Sequence, residues 1–223
     1  MFFDFSQLQA RDAYKLLAGT VVPRPIAWVT SVNDEGLVNA APYSFFNAIG
    51  SNPALLALGI GDREIGAAKH SPAKDTARNI RERGEFVVNL VSRDLAEAMN
   101  ITAIDFPPDK SEVEAAGLKL APAQMINVPR LKNSPVSLEC REHTTLNIGH
   151  NRIIIGEVLG LWIADDCVNP EKYYVDSLGL NLIGRMGGGG GYTETQGQFE
   201  IARMSYEQWR EKHSEENQDE HHD

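Results

Sequence analysis

The first apolar rhythm along the chain is helical. Within residues 6–18, Leu8, Ala13, Leu16 and Leu17 recur at the spacing of one helix face, and Gly19 supplies a stop. The rhythm then shortens. "PIAWVTSV" (25–32) is rich in β-branched and aromatic residues, "NDEG" has turn chemistry, and "LVNAAPYSFF" (37–46) follows, which predicts a β-hairpin. "PALLALGIG" (53–61), an apolar run between Pro53 and Gly61, predicts a buried strand, and "DREIGAAKHSPA" (62–73) a loop. A short helix then opens on Lys74-Asp75-Thr76 and closes at Gly84, with Asp75 or Thr76 as its cap. "EFVVNLVS" (85–92) predicts a strand and "DLAEAMNIT" (94–102) a second short helix capped by Asp94. Residues 103–135 are rich in Pro and Gly and read as surface loop, with one helical turn at 111–117. Two long strand-like runs, 135–148 and 151–164, meet at Gly149-His150 and predict a second hairpin. Beyond 165 the pattern weakens, and the glycines 187–191 read as a flexible linker.

Several strands with turns between them, few helices and no βαβ alternation predict a mainly β fold with short helices, a largely antiparallel barrel. The glycine-rich phosphate motifs of parallel sheets are absent, which argues against a dinucleotide fold or a P-loop. With no repeat and no internal break, residues 1–200 read as one domain and 201–223 as a C-terminal extension. The end of that extension, "EKHSEENQDEHHD", is acidic and poor in apolar residues, so no fixed structure is predicted. Its histidines are read as solvated, and no metal site is assigned.

Composition changes this picture little. Among 223 residues, 42% are hydrophobic, which suits a soluble protein with one core. No run has the length of a membrane span, and the N-terminus lacks signal-peptide order, so a cytoplasmic location with no membrane contact is the expectation. The net charge of −10 argues against nucleic-acid binding. Cys140 and Cys167 stand without C-x-x-C spacing and read as incidental thiols. Hydrolase and zinc signatures are missing, so no catalytic side chain is assigned.

Two stretches carry candidate chemistry. A lysine and a hydroxyl at a helix N-terminus can cap the helix, or can hold a phosphate together with its free N–H groups. The first hairpin sets Thr30, Ser31, Asn39, Tyr43, Ser44 and Asn47 among Ala, Val, Ile and Phe. Taken singly, each reads as an outward polar residue.

Five collinear segments then narrow the choice: "VVPRPIAWVTSVNDEGLVNAAPYSFFNAI", "NPALLALGI", "KDTARNIRERGEFVVNLVSRDLAEAMN", "PRLKNSPVSLEC" and "IIIGEV". Together they resemble the flavin reductase-like, FMN-binding split-barrel family, in particular its flavoredoxin-like branch, over roughly residues 20–190. "GRMGGGGGY" looks like that branch's Arg-x-Gly-Gly…Tyr ending with extra glycine. The resemblance implies a six-stranded antiparallel split β-barrel, a homodimer, and one FMN per subunit near the dimer interface. It implies that Thr30 and Ser31 contact phosphate or ribityl, and that Tyr43, Ser44 and Phe45 line the flavin. Leu58, Gly59, Ile60 and Gly61 would offer backbone, Lys74 and Thr76 would hold phosphate, and Asn39 and Arg185 complete the cofactor set. The implied activity is an NAD(P)H-dependent flavin or ferric reductase. Its competitor is a flavoredoxin-like FMN carrier reduced by a partner protein. Members that use NADH carry Gly-Asp-His where this chain has Gly149-His150-Asn151, which leaves His150 as the nicotinamide-facing candidate.

Overall fold

A computed structural model describes residues 1–62, 73–107 and 110–219. Most of the loop expected at 62–73, the pair 108–109 and the last four residues of the acidic tail lie outside the described residues. Seven strands form the main sheet: β1 (Ala27–Val32), β2 (Val38–Tyr43), β3 (Phe46–Ser51), β4 (Ala54–Gly61), β5 (Glu85–Asn89), β6 (Val136–Ile148) and β7 (Asn151–Ile163). Their order is β2-β1-β5-β6-β7-β4-β3, and every adjacent pair is antiparallel. The edge strands β2 and β3 are consecutive in sequence, parted only by Ser44 and Phe45. The sheet must therefore curl until its edges meet at that bend. Gly59 N–H donates to the Phe45 carbonyl at 2.7 Å and ties the bend to β4.

Seven strands stand where the resemblance implies six. The additional one is β3, whose Phe46–Ser51 run lacks the β-branched signature; it forms because a tight turn at Asn52-Pro53 folds it onto β4. Pairing, rather than propensity, makes this strand.

Alternation along β1 divides the core. Ala27 and Val29 point into the barrel with Leu56, Leu58, Ile60, Phe86, Val88, Cys140 and Ile154. Helix α2 (Asp75–Arg83) closes one mouth of the barrel by adding Ala77 and Ile80 to that cluster. Gly84 stops it in the left-handed region, at φ 70°, where glycine alone is unstrained. Burial pushes the Cys140 thiol up, out of the reactive range. On the other face of β1, Trp28 packs with Met99, Leu131 and Ile183, and its indole N–H donates to Thr102 Oγ1 at 2.9 Å.

The rest of the chain covers this second face. The second short helix begins as a 3-10 turn, Arg93–Leu95, and continues as Ala96–Ile101, so Asp94 lies inside the turn and does not cap it. The loop segment 120–131 is part of the core, since Ile126, Val128 and Leu131 are buried. Glu139 anchors it from β6: this fully buried carboxylate accepts the Gln124 and Met125 N–H groups, at 2.9 and 2.6 Å, and the Trp162 indole N–H at 2.6 Å.

Three further expectations change. Helix α1 (Ala10–Thr20) runs through Gly19 and ends where Thr20 Oγ1 bonds the Leu16 carbonyl at 2.7 Å. The glycine run is a turn rather than a linker. Strands β8 (Ile183–Met186) and β9 (Gly191–Glu194) pair around it, and β8 also pairs with Arg24–Pro25. The segment Tyr206–Asp219 is helical despite its composition, because Ser205 and Gln208 form a reciprocal capping box, with bonds of 2.8 and 3.2 Å. Among the described residues no helix is long and apolar enough to cross a membrane.

Candidate functional site

At the barrel mouth, α2 meets β1 and β2, and three expected residues converge on one hydroxyl. Thr76 Oγ1 accepts from Asn39 Nδ2 at 2.8 Å and from the Tyr43 hydroxyl at 3.0 Å. Both oxygen lone pairs are then engaged, and the Thr76 proton is left to donate. Behind this group, buried Ser31 accepts from Asn79 Nδ2 at 3.2 Å, while the Asn79 Oδ1 is buried with no partner.

The start of α2 completes the arrangement. Lys74, in extended conformation, is the residue before the first turn and contributes no side-chain cap. The expectation that Asp75 or Thr76 caps the helix is thereby corrected. Asp75 is the first helical residue, and its carboxylate takes the Arg78 guanidinium at 2.6 Å. Thr76 lies one place further in, with its hydroxyl turned to Asn39 and Tyr43. Lys74 therefore adds no side-chain cap to the start of α2, and the N-terminal end of a helix of this length favours an anion beside it. Lys74, Thr76, Asn39 and Tyr43 share the wall of a cavity of about 270 Å³. Asp75, Asp105 and Glu112 stand on the same wall, so positive charge there is confined to the Lys74 end.

A second cavity of about 200 Å³ continues past Pro42, Tyr43 and Ala103, which line both. Its wall carries Ser44, Tyr14, Met99, Asn100, Tyr192 and Arg185. The Arg185 guanidinium stacks on the Tyr192 ring, 4.7 Å from its centroid, and donates to the Gly189 carbonyl in the glycine turn. Arg185 thus lies apart from the Lys74 cavity. A third, apolar hollow of about 480 Å³ lies on the outer face of β3, β4 and β7, lined by Phe45, Phe46, Gly59, Ile148 and Ile153.

Not every expected residue joins the first cavity. Thr30 is fully buried on the opposite face of β1 from Ser31, and its hydroxyl donates to the Pro129 carbonyl at 2.7 Å. Leu58 and Ile60 fill the barrel interior, and the Gly59 N–H is taken by Phe45. Gly61 pairs with Asn151 at the end of β4. Phe45 is half exposed beside the apolar hollow, and His150 is exposed in the turn between β6 and β7, its carbonyl bonded by Asp62 N–H.

Arg24 was missed as a site residue although it sits in the quoted "PRP" stretch. Only 4% exposed, it donates to the carbonyls of Ala18, Val21 and Gly187 at 2.6–2.8 Å and to Ser44 Oγ at 3.3 Å. It ties α1, the glycine turn and the barrel-closing bend together. Asn79 was also missed; its position four residues after Asp75, one helical turn on, was the available signal.

The comparisons with known proteins agree with this fold. The family model described as flavin reductase like domain matches residues 18–178. A chain of Deinococcus radiodurans is 49% identical over 94% of this chain and 92% of its own length. Nitrilotriacetate monooxygenase component B from Bacillus cereus superposes with a TM-score of 0.83 at 34% identity, covering 90% of this chain and 98% of that one. The 2-nitrobenzoate 2-nitroreductase NbaA of Pseudomonas fluorescens gives 0.82 at 35% identity, covering 92% and 98%.

Proposed function

Because the chain belongs to the flavin reductase-like domain family, we propose that it is an FMN-binding oxidoreductase that takes reducing equivalents from NAD(P)H and passes them to free flavin, ferric iron or another acceptor. The observation that carries this reading is the Thr76 hydroxyl, held by Asn39 and Tyr43 on the same cavity wall as Lys74 at the start of α2. A flavin phosphate is close to a dianion and suits that set: an ammonium, a hydroxyl and the positive end of a helix. The three carboxylates on the same wall would oppose an anion, so the phosphate belongs at the Lys74 end. Lys74 and Thr76 would hold the phosphate, Asn39 and Tyr43 would orient the Thr76 hydroxyl, and the unpartnered Asn79 amide oxygen would accept from a ribityl hydroxyl or a water. The bend at Tyr43, Ser44 and Phe45 would line the ring.

The bound flavin supplies the hydride and electron transfer in such a site. The protein's part is to hold it, exclude water and position donors, so no side-chain nucleophile or general base is assigned. Similarity to a nitroreductase and a monooxygenase component supports redox chemistry as the class. The apolar hollow with half-exposed Phe45 and exposed Ile148 supports a homodimer joined across β3, β4 and β7.

The test is optical. The purified protein, or the protein after FMN addition and gel filtration, shows the yellow flavin band, and stopped-flow mixing with NADH or NADPH bleaches it. A colourless protein that does not retain FMN refutes the flavin reading. One observation favours a second reading, an FMN carrier reduced by a partner protein: Gly149-His150-Asn151 departs from Gly-Asp-His, and His150 is an exposed turn residue. Bleaching by dithionite or reduced ferredoxin but not by NAD(P)H selects the carrier.

A further inference from the structure

The C-terminal segment leaves the barrel with its apolar side chains uncovered. Beyond β9 it carries Phe199, Ile201, Met204, Tyr206 and Trp209; Phe199 and Ile201 are 85% and 81% exposed, the other three are exposed as well, and none of the five joins a core cluster. Tyr206 and Trp209 stack with ring centroids 6.0 Å apart, so the last helix opens on an aromatic pair that faces solvent. Acid runs through and past these positions: residues 200–223 hold eight carboxylates against three basic side chains.

The outer wall of the barrel carries the complement. A short ribbon of Leu120–Ala121 and Arg130–Leu131 sets Lys119 against Lys132, whose N–H donates to the Lys119 carbonyl at 2.8 Å. Alternation brings Arg130 to the face of Lys132 and turns Leu131 into the core. Like charges opposed across a strand pair repel. Among the described residues, none of these three cations has a carboxylate partner or a side-chain hydrogen bond. The Arg130 guanidinium lies over the Trp162 ring, 4.2 Å from its centroid, and Trp162 walls a hollow of about 290 Å³ with Met125 and Leu161, both more than half exposed. Glu139 also lines this hollow, but its carboxylate is engaged by two backbone N–H groups and the Trp162 indole. An apolar hollow beside three unpaired cations suits a segment that is both aromatic and acidic.

We infer that this surface receives the C-terminal segment of a second copy, its apolar side chains in the hollow beside Trp162 and its carboxylates on Lys119, Arg130 and Lys132. The chain's own segment stands in solvent, which favours exchange between copies over an internal latch. The inference rests on the proposed homodimer, to which it adds a reciprocal exchange of segments, and is independent of the flavin.

Sedimentation and zero-length carbodiimide coupling of the full-length protein test the two readings separately. At micromolar concentration the protein sediments as a dimer, coupling yields a covalent dimer, and peptide mapping of that band finds Lys119 or Lys132 joined to carboxylates of residues 200–223. Lys119→Gln with Lys132→Gln lowers the covalent dimer at least fivefold, and so does Phe199→Ser with Ile201→Ser; all four positions are exposed, so each variant keeps its far-ultraviolet spectrum. A sedimenting monomer refutes the homodimer and this inference with it. A dimer whose covalent band lacks these links, links recovered only from the monomer band, or an undiminished yield in either variant overturns the exchange and leaves the homodimer standing.

Discussion

Thr76 concentrates the residue-scale argument, since one hydroxyl joins α2 to β2 and faces the cavity. Lys74→Ala with Thr76→Ala should reduce retained FMN at least tenfold with an unchanged far-ultraviolet spectrum; a double variant that purifies with full flavin content would refute the assignment. Thr76→Ser alone should keep the flavin, because the donor survives. Glu139 gives a stability prediction of a different kind. Its carboxylate accepts two backbone N–H groups and an indole N–H, and an amide in its place brings a donor against donors. Glu139→Gln should cost about 2 kcal/mol in urea unfolding, and a change under about 0.5 kcal/mol would show that the loop is not anchored there. Strand parity was the legible but unused signal at this scale: adjacent residues of β1 face opposite ways, so Thr30 and Ser31 cannot share a site.

Elements formed where local pattern and tertiary demand agreed. The hairpins of β1–β2 and β6–β7, the strand β4 and the glycine stop of α2 all lie within three residues of their predicted bounds. Disagreement arose where pairing supplied what local preference lacked. β3 has a weak strand sequence but two partners in reach, β4 beside it and the barrel closure behind it. The five glycines have no side chains to pattern, so nothing in them announces that Met186 pairs with Gly191. Close packing between elements yields a prediction that no hydrophobicity pattern contains. A Cβ at Gly156 of β7 would lie 2.5 Å from Phe86 Cζ in the barrel interior, so Gly156→Ala should destabilise by about 1–3 kcal/mol. Gly189→Ala, with open space around it in the glycine turn, should stay within about 0.5 kcal/mol. Equal thermal shifts for the two variants would contradict this packing.

For the molecule as a whole, the proposed homodimer would bury the apolar hollow over β3, β4 and β7. Ile148→Asp should convert a sedimenting dimer into monomer at micromolar concentration without loss of secondary structure; a dimer of undiminished affinity would move the interface elsewhere. By itself the sequence determined the class of fold, most element positions and the family resemblance, because periodicity, turn chemistry and collinear motifs are local and survive without coordinates. Only the tertiary structure decided which hydroxyls meet, how the sheet closes through the Ser44-Phe45 bend, and that Arg24 lies opposite Arg185 and bonds the glycine turn. Those facts depend on residues as far apart as 24 and 187, and their proximity follows from strand pairing and barrel closure rather than from any spacing along the chain.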